Sequence, residues 1–82
     1  MHMDAKTEYE RRLIKETSTQ DLMDVLYFGA GDDIFMAIIA EMLERGADVH
    51  KYADKYRRWN WGDKAHTFYV NVCKAVDELK AN

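Results

Sequence analysis

Apolar residues recur along this chain at three- and four-residue intervals, the spacing of one face of an α-helix, and short polar or glycine-containing breaks divide them into five stretches. The first runs from about Asp4 to Glu16, with Asp4 as N-cap and Ala5, Tyr9 and Leu13 forming a narrow stripe. Glu8, Arg12 and Glu16 stand at supportive i,i+4 spacing around it, which predicts a packed but peripheral helix. Ser18-Thr19-Gln20-Asp21 has the spacing of a capping box, with Asp in place of the usual Glu. The helix it opens carries Leu22, Val25 and Leu26 and should end near Phe28, because Gly29 can take the left-handed conformation that closes helices.

Asp32 is the expected cap of a third helix, which is apolar nearly all round from Ile34 to Ala40 and again at Met42 and Leu43. Such a helix belongs at the centre of a domain, covered on several sides. Arg45-Gly46 closes it, a cation in the last turn followed by glycine. Asp48 caps a fourth helix whose inner stripe is Val49, Tyr52, Ala53 and Tyr56, with Lys51, Lys55 and Arg58 on a neighbouring face. Asp63 starts the last helix, with Ala65, Phe68, Tyr69, Val72, Cys73, Val76 and Leu79 inward. Thr67–Cys73 is rich in β-branched and aromatic residues and has a strand as its alternative. The helical repeat continues unbroken to Leu79, which favours helix. The fold class that follows is all-α, a compact bundle of four or five short helices with sequence neighbours packed as hairpins.

Length adds the expectation of one domain over residues 4–82, with Met1-His2-Met3, which offers two initiators, read as a cloning remnant or disordered start. A core of this size supplies only a modest surplus over chain entropy, so a homo-oligomer, with the third helix facing a second copy, is an open expectation. Cys73 is the only cysteine, which excludes an internal disulfide and fits a reducing, cytoplasmic compartment. No apolar run is long enough to span a bilayer, so no membrane partner is expected. Charge is unevenly placed. Residues 4–48 carry five basic and eleven acidic groups, a balance of −6, whereas residues 49–59 carry four basic groups against Asp54, a balance of +3.

Candidate chemistry is sparse. His50, His66 and Cys73 are the remaining soft metal ligands, but His66 and Cys73 lie about 10 Å apart along one helix, too far to share an ion. Cys73 faces the predicted core and lacks the flanking signatures of a catalytic thiol. The Gly29-Ala30-Gly31 turn is followed by Asp32 and Asp33, which repel phosphate. Leu43–Val49 resembles the end of an ankyrin repeat over seven residues only; with no second repeat, a glycine-closed helix followed by an Asp cap explains the string, and no family is assigned. No enzyme, cofactor or metal site is therefore expected.

The reading that uses most of the sequence is a protein-binding surface. Six of the ten aromatic residues lie between Tyr52 and Tyr69, and Arg57-Arg58-Trp59-Asn60-Trp61 combines the residue types enriched at binding hot spots. Lys51, Tyr52, Lys55, Tyr56, Arg57, Arg58, Trp59 and Trp61 are the expected partner-binding set, with the alternative that Trp59 and Trp61 plug the end of the bundle and the arginines are merely solvated. Asp21, Asp24, Asp32, Asp33, Glu41, Glu44 and Asp48 form an expected acidic face suited to a basic partner. The function expected is a small regulator, adaptor or inhibitor of another protein, a character shared with accessory proteins of phages and mobile elements. The alternative is a nucleic-acid-binding protein using basic helix 49–59, which the acidic balance of the remaining chain disfavours.

Overall fold

A computed structural model of the protein describes residues 5–59 and 62–81, with side chains for residues 8–58 and 62–81. Five helices follow one another: α1 (Ala5–Glu16), α2 (Thr19–Phe28), α3 (Asp32–Glu44), α4 (Val49–Trp59) and α5 (Asp63–Ala81). Among the described residues there is no strand, and Thr67–Cys73 lies inside α5. The helical repeat through Leu79 outweighs the local β preference.

The helix ends follow from their capping residues. Ser18 Oγ accepts the Asp21 N–H at 3.2 Å, and Asp48 Oδ1 accepts the Lys51 N–H at 3.2 Å. Asp32 is not the cap of α3. Gly31 takes that position, and Asp32 and Asp33 stand in the first turn, where their carboxylates face the positive end of the helix dipole. At the other end Gly46 has φ +76°, with its N–H bonded to the Leu43 carbonyl and the Ala47 N–H to the Met42 carbonyl, each at 3.0 Å. That pair of bonds is the Schellman closure, and it requires the left-handed region that glycine enters without a Cβ clash.

The third helix is central, as its apolar sequence predicts: all four other helices pack against it, and Ile38, Ile39 and Met42 are buried there. Leu22, Met23, Leu26 and Tyr27 come from α2, and Val49, Ala53 and Tyr56 from α4. Ala65, Phe68, Val72, Ala75 and Val76 come from α5, which makes its most extensive contact with α4. Tyr27 stacks on Tyr56 at 4.4 Å between ring centres, and Phe68 meets both edge-on at 5.1 and 5.5 Å. The large residues of α3 are buried or half-buried within one chain, and its exposed side carries Asp33, Ala37, Ala40 and Glu44.

Two faces differ from the periodicity reading. On α1, Tyr9 and Leu13 are 60% and 44% exposed, and Ile14 is buried in their place. The face that meets α3 is the one carrying Ile14, and Arg45 ties the C-terminal end of the helix, its Nη2 donating to the Ile14 and Lys15 carbonyls at 3.0 and 3.1 Å. On α2, Val25 is exposed while Met23 and Tyr27 are buried, because the helix contacts both α3 and α4 and needs the broader face Leu22-Met23-Leu26-Tyr27.

Ile39→Ala should lower the free energy of unfolding in urea by about 2–5 kcal/mol, the range for emptying a packed aliphatic site. Leu13→Ala should change it by less than about 1 kcal/mol and Ile14→Ala by clearly more, an order opposite to that expected from the Tyr9–Leu13 stripe.

Candidate binding groove on the fourth helix

On α4 the inward positions Val49, Ala53 and Tyr56 leave a flanking row in which Lys51, Lys55 and Arg58 follow one another at i, i+4, i+7. These three cations, with Tyr52, Asp48 and Gln20 of α2, line an open groove of about 570 Å³. Lys51, Lys55 and Arg58 are exposed, and Tyr52 is half-buried against the core. Four of the eight residues expected to meet a partner are thus brought to one place.

Gln20 links this groove to the interior. Its Oε1 accepts from Lys55 Nζ at 3.1 Å, and its Nε2 donates to Asp24 Oδ1 at 3.1 Å and to the Tyr56 hydroxyl oxygen at 3.4 Å. The Tyr56 hydroxyl in turn donates to Asp24 Oδ1. Burial, and then the Asp24 carboxylate, push the Tyr56 phenol well above its ordinary 10.0. Tyr56 therefore does not belong to the exposed set: its ring is stacked in the core and its hydroxyl is bonded across the α2–α4 contact. Gln20 carried no sequence signal for the groove, because Lys55 and Tyr56, the partners that tie it there, lie 35 and 36 residues away on another helix.

Arg57 and Arg58 are adjacent but differently used. Arg57 bonds Asp54 Oδ1 through Nε at 2.8 Å and Nη2 at 2.5 Å, and its guanidinium carbon lies 3.9 Å from the centre of the Tyr69 ring. The Arg57 hydrogen bonds hold the Asp54 carboxyl below the ordinary range. Arg58 is exposed, and only its Nε approaches Asp54, at 3.4 Å. The Trp59 and Trp61 side chains lie outside the described residues.

The acidic set does not form one face. Asp24 is bonded to Tyr56 and Gln20, and Glu41 Oε2 accepts from Arg45 Nε at 2.9 Å, with Lys15 at 3.5 Å from its other oxygen. The Arg45 hydrogen bond keeps the Glu41 carboxyl below its ordinary 4.5. Asp21, Asp32, Asp33, Glu44 and Asp48 are exposed, but Asp33 and Glu44 are at opposite ends of α3, about 17 Å apart at the helical rise.

Cys73 is half-buried. It stands beside Tyr69, raising that hydroxyl above its ordinary 10.0, while His50 meets the same ring edge-on at 6.4 Å. Among the described residues no three His, Cys, Asp or Glu side chains converge as metal ligands, and no helix is long and apolar enough to cross a membrane.

Tyr56→Phe should destabilise the protein by about 1–3 kcal/mol, because it leaves the half-buried Asp24 without its hydroxyl donor. The raised phenol adds a pH dependence. The native state holds the Tyr56 proton more tightly than the unfolded chain, so this contribution is intact below pH 10.0 and is lost as pH rises above it. Urea midpoints measured across the alkaline range should show a fall that Tyr56→Phe reduces. No protein-family model matches the chain, nor does any curated protein or solved structure, so the functional reading rests on this geometry.

Proposed function

We propose that the protein is a small non-enzymatic module that binds another protein through the α4 groove, acting as a regulator, adaptor or inhibitor by occupying its partner. The observation that carries this reading is the convergence of Lys51, Tyr52, Lys55 and Arg58 on one open groove while their neighbours Tyr56 and Arg57 are engaged inside the fold. Arginine and tyrosine supply much of the energy of protein interfaces, the first through its fork of donors and the second through a large rigid ring. Occupation without covalent chemistry suits a groove lined by solvent-exposed cations, a half-buried tyrosine and a capping carboxylate. A single free thiol suits a reducing, cytoplasmic setting.

The test compares wild-type protein with a Tyr52→Ala, Arg58→Ala double variant as bait in a lysate of the cells that naturally express the protein. A specific partner should be retained by the wild type and lost by about tenfold or more from the variant, the effect of removing a binding hot spot. Helical circular dichroism and the thermal midpoint should be nearly unchanged. Equal retention by both proteins, or loss of binding together with loss of fold, refutes the reading.

A further inference from the structure

We infer that the segment received by the α4 groove is acidic: a short stretch of the partner in which carboxylates accompany an apolar side chain. This rests on the protein-binding reading above. Lys51 and Arg58, with Lys55 between them, stand seven residues apart on α4, about 10 Å of helix axis, which matches roughly three residues of extended peptide.

These three cations are weakly neutralised within the chain. Among the described residues Lys51 forms no ion pair, and Lys55 Nζ is bonded to the neutral Gln20 amide. Arg58 has only the 3.4 Å approach to an Asp54 that Arg57 already engages at 2.5 Å. The groove's own carboxylate, Asp48, accepts the Lys51 backbone N–H as a helix cap. Three cations against one engaged carboxylate leave a local positive excess on a chain whose net charge is −3.

Ligand length selects between two kinds of anion. A short acidic peptide covers the cations and Tyr52 and ends there. A nucleic acid continues past them over a chain that carries −6 across residues 4–48, and three phosphate contacts supply little of the counterion release on which such binding depends. Two other depressions select no occupant by charge. One between α3 and α5, about 410 Å³, sets Lys74 beside Asp32 and Glu78, and one at the α2–α3 turn, about 540 Å³, sets Lys64 beside Asp32 and Asp63.

The inference is tested by following backbone amide resonances of the full chain during titration with hexaglutamate, hexalysine or hexathymidylate. Hexaglutamate should move the amides of Lys51, Tyr52, Lys55 and Arg58 together with the Gln20 side-chain amide, and less so as salt rises to about 0.15 M. Lys55→Glu and Arg58→Glu, both at exposed positions, should each weaken that binding by about fivefold or more. Hexathymidylate binding α4 as well as or better than hexaglutamate overturns the inference in favour of nucleic acid, and α4 amides that hexaglutamate leaves unmoved, or that hexalysine moves, also overturn it. A homo-oligomer seen by sedimentation and dissolved by Lys55→Glu overturns it in favour of a second copy. Partner capture that survives Tyr52→Ala, Arg58→Ala refutes the reading that a partner is bound through the α4 groove. Capture abolished by that variant while hexaglutamate leaves α4 unmoved refutes the acidic segment alone.

Discussion

A helix that is apolar on nearly every side cannot sit at a surface, and the arrangement of this protein follows from having to cover one. The buried side chains of α3, Ile38, Ile39 and Met42, are each worth about 1.5–3 kcal/mol in removal from water, and the four other helices supply the cover. Covering α3 sets the rotation of its neighbours. Once Val49, Ala53 and Tyr56 of α4 face inward, Lys51, Lys55 and Arg58 have no choice but the flank, because residues three and four apart share one side of a helix. The groove's cations are in this sense a consequence of packing: the core determines where they point, and their chemistry is free to serve something else.

Polar ties then fix what apolar contact leaves loose. Arg45 is the main one. From the closing residue of α3 it donates to the last carbonyls of α1, to Thr19 Oγ1 at 3.1 Å at the start of α2, and to Glu41 on its own helix. One guanidinium thus joins three helix ends, which its planar fork of donors allows and a lysine would not. The Lys15 carbonyl near the terminus of α1 gains its partner from Arg45, and the Ile14 carbonyl accepts from Arg45 beside the Thr17 N–H at 3.3 Å. The second tie, Tyr56 to Asp24 and Gln20, does the same between α4 and α2, with donor and acceptor both inside the contact.

Much of this was legible in the residues. All five helices, the central place of α3, the caps Ser18 and Asp48, the Gly46 closure and the outward row Lys51-Lys55-Arg58 follow from periodicity and local capping chemistry. What periodicity does not resolve is which of two adjacent faces meets a neighbour. On α1 it marks Tyr9 and Leu13, but the face that meets α3 is the adjacent one carrying Ile14. On α4 it groups Tyr56 both with the inner stripe and with the aromatic surface, and only the presence of Asp24 and Gln20 opposite its hydroxyl decides between them. Glu41 is engaged by Arg45 at i+4, a pairing the spacing itself offers, but Asp24 left the acidic set for the same reason as Tyr56, held by a hydroxyl 32 residues away. A carboxylate's charge is visible in sequence, whereas the long-range donor that engages it is not.

Along α4, residues adjacent in sequence meet opposite fates. Tyr56 and Arg57 are held by Asp24, Asp54 and the Tyr69 ring, while Lys55 and Arg58 on either side of them remain at the groove. Removing Tyr56 or Arg57 would therefore disturb the helix that presents the groove, and removing Lys55 or Arg58 would change the groove while sparing the fold. Gln20 stands at the junction of the two groups, since one end of its amide touches Lys55 and the other the Tyr56–Asp24 pair. A carboxylate that draws Lys55 away from Gln20 would leave Oε1 to water, at little expense at an exposed position, and would not disturb the buried hydrogen bond beneath. The groove can thus exchange its partners for Lys55 without cost to the core, the separation that a reversible binding surface on so small a domain requires.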